Sequence, residues 1–246
     1  MIDRTTWSEF LDEVAKKRSE FGCSQSGAYF RGQGSVDYSL IPTLLRSQQL
    51  AEREGEMYYQ CHVMAGGHLP QSRSSWETLA TMQHHNIPTR LLDWSQSFAV
   101  ALFFAVSGNS PSPCLWILNS FKLTRTNAQL GENMVFTVGI DALPEYDDAF
   151  VSPPNPMWPY DKPVFLEVPW VDERMRSQRG FFTIHPNGQC MAENSKSSLR
   201  QVCIPTDAGE AIAEFLRLSD VNAYSIFADL DSLGHHFRTR FLEPGR

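Results

Sequence analysis

Long apolar runs, paired cysteines and the familiar nucleotide-binding loops are all missing from this chain of 246 residues. The longest apolar run, Phe98 to Val106, is far too short to cross a bilayer. The opening segment MIDRTTWSEF lacks the basic-then-apolar pattern of a secretory leader, so a cytoplasmic protein with no membrane partner is expected. The 5 cysteines, at positions 23, 61, 114, 190 and 203, are odd in number and form no CxxC pair. That pattern disfavours a zinc ribbon or thioredoxin-type site and suits free thiols in a reducing compartment. GxSxG, Walker A and GxGxxG loops are absent, and no HExxH or comparable ligand spacing occurs, so no metal is expected. Positive charge is also short. A formal net charge of −7 argues against broad binding to duplex nucleic acid, which depends on neutralising phosphates. Only a local basic cleft fits that balance.

What is present points inward. With 16 Phe, 6 Trp and 42% hydrophobic residues, the chain can fill a core without staples. Thr6 and Glu9 have capping-box spacing, and Trp7, Phe10, Leu11 and Val14 share a helical face, predicting a first helix over about 5–20. Gly27 to Gln33 reads as a short buried strand, and Leu45 to Gly66 as helical. Ser74 and Glu77 repeat the capping box and start a helix that ends at His84 and His85. Pro88 breaks it, so Thr89 to Trp94 is extended. Ser95 can cap a buried helix over 96–107. Cys114–Leu118, Lys162–Val168 and Leu199–Ile204 read as strands, and the acidic, Pro-rich 141–160 as an irregular excursion. Asp207 and Glu210 cap a helix through Leu218, and Tyr224 to Phe241 forms the last one. Helices and strands intersperse without a linker or repeat. The reading is α+β, a single domain over 1–246 with its core from about 27.

Three segments set polar groups at the edge of apolar elements. Arg31 closes a strand beside Gly32, where a guanidinium fork can hold phosphate or carboxylate, or else pair with a buried acid. The stretch QHHNIPTRLLDW brings His84, His85, Arg90 and Asp93 beside Leu91, Leu92 and Trp94. Arg90 and Asp93 form either part of a site or an internal ion pair. Adjacent histidines diverge on a helix, so at most one of His84 and His85 faces a given pocket. Gln178, in RSQRGFF, offers both a donor and an acceptor. Arg31, Arg90 and Gln178 are expected to converge on one cleft.

Together these segments resemble the FRG domain. The match is carried by Phe30-Arg31-Gly32-Gln33, by Gln83 through Ser95, and by the alanine-rich 99–105. Arg176, Gln178, Gly180 and Phe182 fit its later R-x-Q-x-G-x-F pattern, and 227–233 its closing segment. The chain departs at His85-Asn86, where the family has an aromatic and glycine, and at Ala228 and Ser232, where it has proline and glycine.

That pattern is in turn similar to the ADP-ribosyltransferase superfamily, which implies split small sheets with flanking helices and NAD, as substrate, in the cleft between them. Gln178, His84 and His85 would be catalytic under that resemblance. Arg31, Gln33, Thr89 and Arg90 would hold the dinucleotide, supported by Asp93, Trp94 and Arg176. Glu167 and Glu193 stand as fallback acids. The implied function is a toxin or defence effector that modifies nucleic acid or protein, with an antitoxin among its implied partners. A nuclease or phosphodiesterase and a noncatalytic binding module are the alternatives.

Overall fold

The computed structural model describes residues 4–21, 27–66, 69, 74–108, 110–129, 131, 134–141, 143–150 and 161–242. Cys23 and most of the Pro-rich excursion fall outside them. In chain order the elements are α1 (Arg4–Ser19), β1 (Ala28–Gln33), α2 (Gln48–Glu52), α3 (Glu54–Ala65), α4 (Ser75–His84), β2 (Leu91–Ser95), α5 (Phe98–Val106), β3 (Cys114–Asn119) and α6 (Ser120–Ala128). They continue with β4 (Phe136–Thr137), β5 (Val164–Glu167), α7 (Glu173–Gln178), β6 (Gly180–Ile184), α8 (Met191–Asn194), β7 (Leu199–Cys203), α9 (Gly209–Leu218), α10 (Ala223–Phe227) and α11 (Leu230–Leu242). The α+β reading holds. No helix among the described residues is long and apolar enough to cross a membrane.

The strands form one seven-stranded sheet in the order β4-β5-β6-β2-β1-β3-β7, parallel only at β4–β5. Two separate small sheets were expected, and the strands instead join. The joint is narrow, however. β2 pairs with β6 from Leu91 to Ser95, and β1 with β3 along its whole length, whereas β1 meets β2 only at Phe30↔Ser95. The central ladder therefore opens into a seam.

Alternation along the strands sorts the core onto two faces. Leu91, Phe182 and Ile184 pack with α3 and α4, while Phe30, Leu115 and Ile117 pack with α1, α5 and α9 on the same side. Tyr29, Leu92, Trp94 and Trp116 face the other side, with Leu123 of α6 and Met191 of α8. The Leu91-Leu92 step thus serves both faces, and each fully buried leucine contributes about 1.5–3 kcal/mol.

Local chemistry fixes the elements around the seam. The capping box at Ser74 is complete, with Ser74 accepting from the Glu77 N–H and the Glu77 carboxylate accepting from the Ser74 N–H. Asn86 follows α4 with φ 59, the left-handed conformation that suits glycine or asparagine. Asparagine tolerates that conformation, so the turn forms without a glycine. Ser97, rather than Ser95, caps α5, and the Ser95 hydroxyl accepts from the Ser97 N–H and donates to the Gln178 carbonyl. Thr6 lies inside α1 and donates to Asp207, so the expected capping box there does not form. The last helix is broken in two at Ala228, whose φ of 53 proline could not adopt. Gly32 has a steric purpose: a Cβ there would lie 1.8 Å from the Ala101 carbonyl oxygen of α5.

Candidate functional site

Where the ladder opens, a pocket of about 260 Å³ lies on the face covered by α4 and α5. Arg31, Asp93, Trp94 and Ser95 line it from the two seam strands, and α4, α5 and α7 form its walls. It sits at the small end of ligand pockets, which run from roughly 300 Å³ upward.

Arg31 occupies the seam itself. Its Nη1 donates to the Asp93 carbonyl oxygen at 2.8 Å, taking a place that a neighbouring strand's N–H would otherwise fill. The same nitrogen lies 3.7 Å from the Asp93 carboxylate, and its buried Nε has no partner. Burial pushes the guanidinium below its ordinary pKa, and the Asp93 charge opposes that shift. Gln83 steadies Asp93 from the other side. Its amide donates to the Asp93 carboxylate at 2.7 Å and accepts from the Thr89 hydroxyl at 2.5 Å. The Asp93 side chain remains 49% exposed, which leaves a carboxylate presented to the pocket.

His84 ends α4 with its Nε2 buried and without a partner, and its ring meets Phe182 edge-on. Burial lowers its pKa, against the pull of Asp172 and Asp93, so the imidazole is neutral near pH 7. His85 is exposed and absent from the pocket, as divergence on a helix requires. Gln178 does line the pocket, with its side chain donating to the Ile226 carbonyl at 3.3 Å.

Four other expected contributors lie elsewhere. Arg90 is 7% exposed and holds Glu54 with both arms of its fork, while its Nη1 donates to the His185 carbonyl at 2.9 Å. Burial works against that charge, but the hydrogen bonds and charge of Glu54 prevail and hold its pKa above the ordinary value. Tyr146 also donates to Glu54, and burial raises its phenol well above the usual range. Arg90 is therefore an internal tie between the residue that leads into β2 and the start of α3. Gln33 is buried, accepting from the Trp116 indole at 2.8 Å, and Thr89 is 1% exposed beneath Gln83. Arg176 is exposed and reaches the Trp170 carbonyl at 3.5 Å, away from the pocket lining. Trp94 lines the pocket, its indole donating to Thr183 at 3.1 Å. The fallback acids also lie outside the pocket: Glu167 accepts from Thr137 at 3.2 Å, and Glu193 is exposed on α8.

The second pocket arginine is Arg174. It precedes Gln178 by one helical turn, so both project from the same side of α7. Its guanidinium lies 4.8 Å from the Phe227 ring centre, and its buried Nε has no partner. Burial lowers its pKa against the nearby charges of Asp93, Asp229 and Asp172. The spacing to Gln178 was the available signal, together with Asp172, which caps α7 by accepting from the Met175 N–H at 2.7 Å. His185 gave no such signal. It is fully buried beside Thr183, and burial, followed by the charges of Arg31 and Arg90, lowers its pKa to about 3.

Fold and pocket define an α+β protein with a cationic, aromatic-walled cleft in an opened sheet. The FRG domain model matches residues 26–113, and the chain carries an FRG domain there. The matched stretch holds β1, α4, β2 and α5, whereas Arg174 and Gln178 lie beyond it. No curated protein and no solved structure matches the chain.

Proposed function

We propose that the pocket takes the nicotinamide–ribose end of NAD and that the protein is an ADP-ribosyltransferase-like enzyme. The observation carrying this reading is the Asp93 carboxylate, presented to a partly apolar cleft between Arg31 and Gln83. Breaking the bond between ribose C1′ and nicotinamide nitrogen releases neutral nicotinamide with the bonding pair. The positive charge left on the ribose is what a fixed carboxylate stabilises. An acceptor oxygen or nitrogen then bonds to C1′, and its proton passes to the Asp93 carboxylate, which is open to the cleft. Gln178 orients a ribose hydroxyl. Arg31 and Arg174 hold the pyrophosphate, and Phe104 and Phe227 back it with apolar surface. The acceptor is a nucleic acid or protein, consistent with a cytoplasmic toxin or defence effector whose partners include an antitoxin.

A noncatalytic binding module is the second reading. It is favoured by the absence of any glutamate from the pocket lining among the described residues and by the engagement of Asp93 with Gln83. Incubation with adenylate-labelled NAD, mixed nucleic acid and lysate separates the two. Nicotinamide release with label transfer, lost in Asp93→Asn, supports the enzyme. Binding without release supports the module, and fragmentation of nucleic acid without either supports a phosphodiesterase.

A further inference from the structure

The thiols on the last two strands of the sheet are aligned. β7 is an outer strand, its Cys203 is exposed, and its registered partner across β3 is Cys114. Residues paired across antiparallel strands project from the same face. The Ile204 N–H donates to the Pro113 carbonyl at 2.9 Å, which makes Pro113 and Ile204 a hydrogen-bonded pair. Cys114 and Cys203, one step along, are therefore a non-hydrogen-bonded pair. At such pairs the Cα atoms stand about 4.5 Å apart, against about 5.5 Å at the alternate ones. That spacing falls just inside the roughly 4.4–6.8 Å that a disulfide spans.

We propose that Cys114 and Cys203 form a reversible disulfide when the protein meets a peroxide. The exposed Cys203 sulfur attacks a peroxide oxygen, the O–O bond breaks, and the departing oxygen leaves as water, giving a sulfenic acid. The Cys114 sulfur then gives up its proton and attacks Cys203, the S–O bond breaks, and a second water departs. Two thiols are oxidised by two electrons, and one hydrogen peroxide is reduced to two waters. The order follows from exposure. Cys114 is fully buried, burial raises its pKa, and the Gln201 amide holds its sulfur at 3.4 Å. The bond would fasten the outer strand to the half-sheet that carries Arg31.

The full-length chain, treated with equimolar hydrogen peroxide, blocked with N-ethylmaleimide and digested without reductant, tests the pairing. A Cys114–Cys203 linked peptide, two hydrogens lighter than the sum of its reduced halves and separated into them by dithiothreitol, is expected. Cys203→Ser, a change at an exposed position, should abolish the link and leave Cys114 reduced. Cys114→Ser should leave a sulfenic acid at Cys203 that dimedone traps. Over-oxidation of wild-type Cys203 while Cys114 remains a thiol, or linkage of Cys203 to another cysteine, overturns the proposal.

Discussion

Replacing Glu54 with leucine should destabilise the protein without touching the pocket. Arg90 and Glu54 are each 7% exposed, and the fork meets the carboxylate through both arms. Removing one partner from such a pair leaves a buried charge uncompensated, at a cost of about 3–5 kcal/mol. Arg90 keeps the His185 and Pro186 carbonyls, at 2.9 and 3.2 Å, but neither carries a neutralising charge. Tyr146 loses its acceptor as well, which places the expected cost at the upper part of that range. For a chain of this size each kcal/mol moves the melting temperature by about 2–4 °C, so a fall of roughly 10–20 °C follows. Urea unfolding followed by tryptophan fluorescence gives the free energy directly. The pair Arg90→Met with Glu54→Gln removes both charges and keeps an acceptor for Tyr146. It should recover most of the loss and, on the proposed reading, match wild type in NAD binding below its melting temperature. A Glu54→Leu protein as stable as wild type would refute the buried-tie argument. A folded double variant unable to bind would return Arg90 to the site.

Three further outcomes follow from the same geometry. Arg174→Ala should weaken NAD binding by about 1–3 kcal/mol, the scale of hydrogen bonds to charged groups, and Arg174→Lys should recover part of it, whereas Arg176→Ala should change little; calorimetry showing the reverse ranking would put the anion at the wrong arginine. His185 has a folded pKa near 3, below the unfolded value of about 6.5, so the unfolded chain binds more protons between them. Stability from this group is present above pH 6.5 and falls by up to about 1.4 kcal/mol per pH unit below it. His185→Gln should flatten that dependence between pH 7 and 5, and urea curves that shift in parallel for both proteins would contradict the assignment. Gly32→Ala should cost about 3 kcal/mol or more, because its Cβ would strike α5 backbone, and a neutral result would mean that the helix can back away.

Much of the fold was legible because alternation and capping are local. Ser74 and Glu77 placed the start of α4, and the helix break at Pro88 placed β2. Arg31, His84 and Gln178 were found as polar groups at the ends of apolar elements, and the structure brings them to one pocket. Arg90 carried the same local signature and failed, because its partner stands 36 positions earlier in the chain. Nothing adjacent to an arginine says whether a distant glutamate will neutralise it. Gln33 and Thr89 failed for the same reason, being claimed by Trp116 and Gln83. The break at Ala228 was hidden because an alanine gives no warning of a left-handed turn.

The single joint between β1 and β2 also gives Arg31 a second office, that of a wedge. Continued by two more pairs, the register of Phe30 with Ser95 would set Gly32 opposite Asp93 and zip the strands shut. Open strand edges invite pairing, and here two of them face each other inside one molecule. The guanidinium satisfies the Asp93 carbonyl while standing too broad for the strands to meet across it. Truncating Arg31 would thus remove more than a positive charge. It would let the unzipped stretch of ladder close, so the cavity owes its existence to the side chain that also lines it.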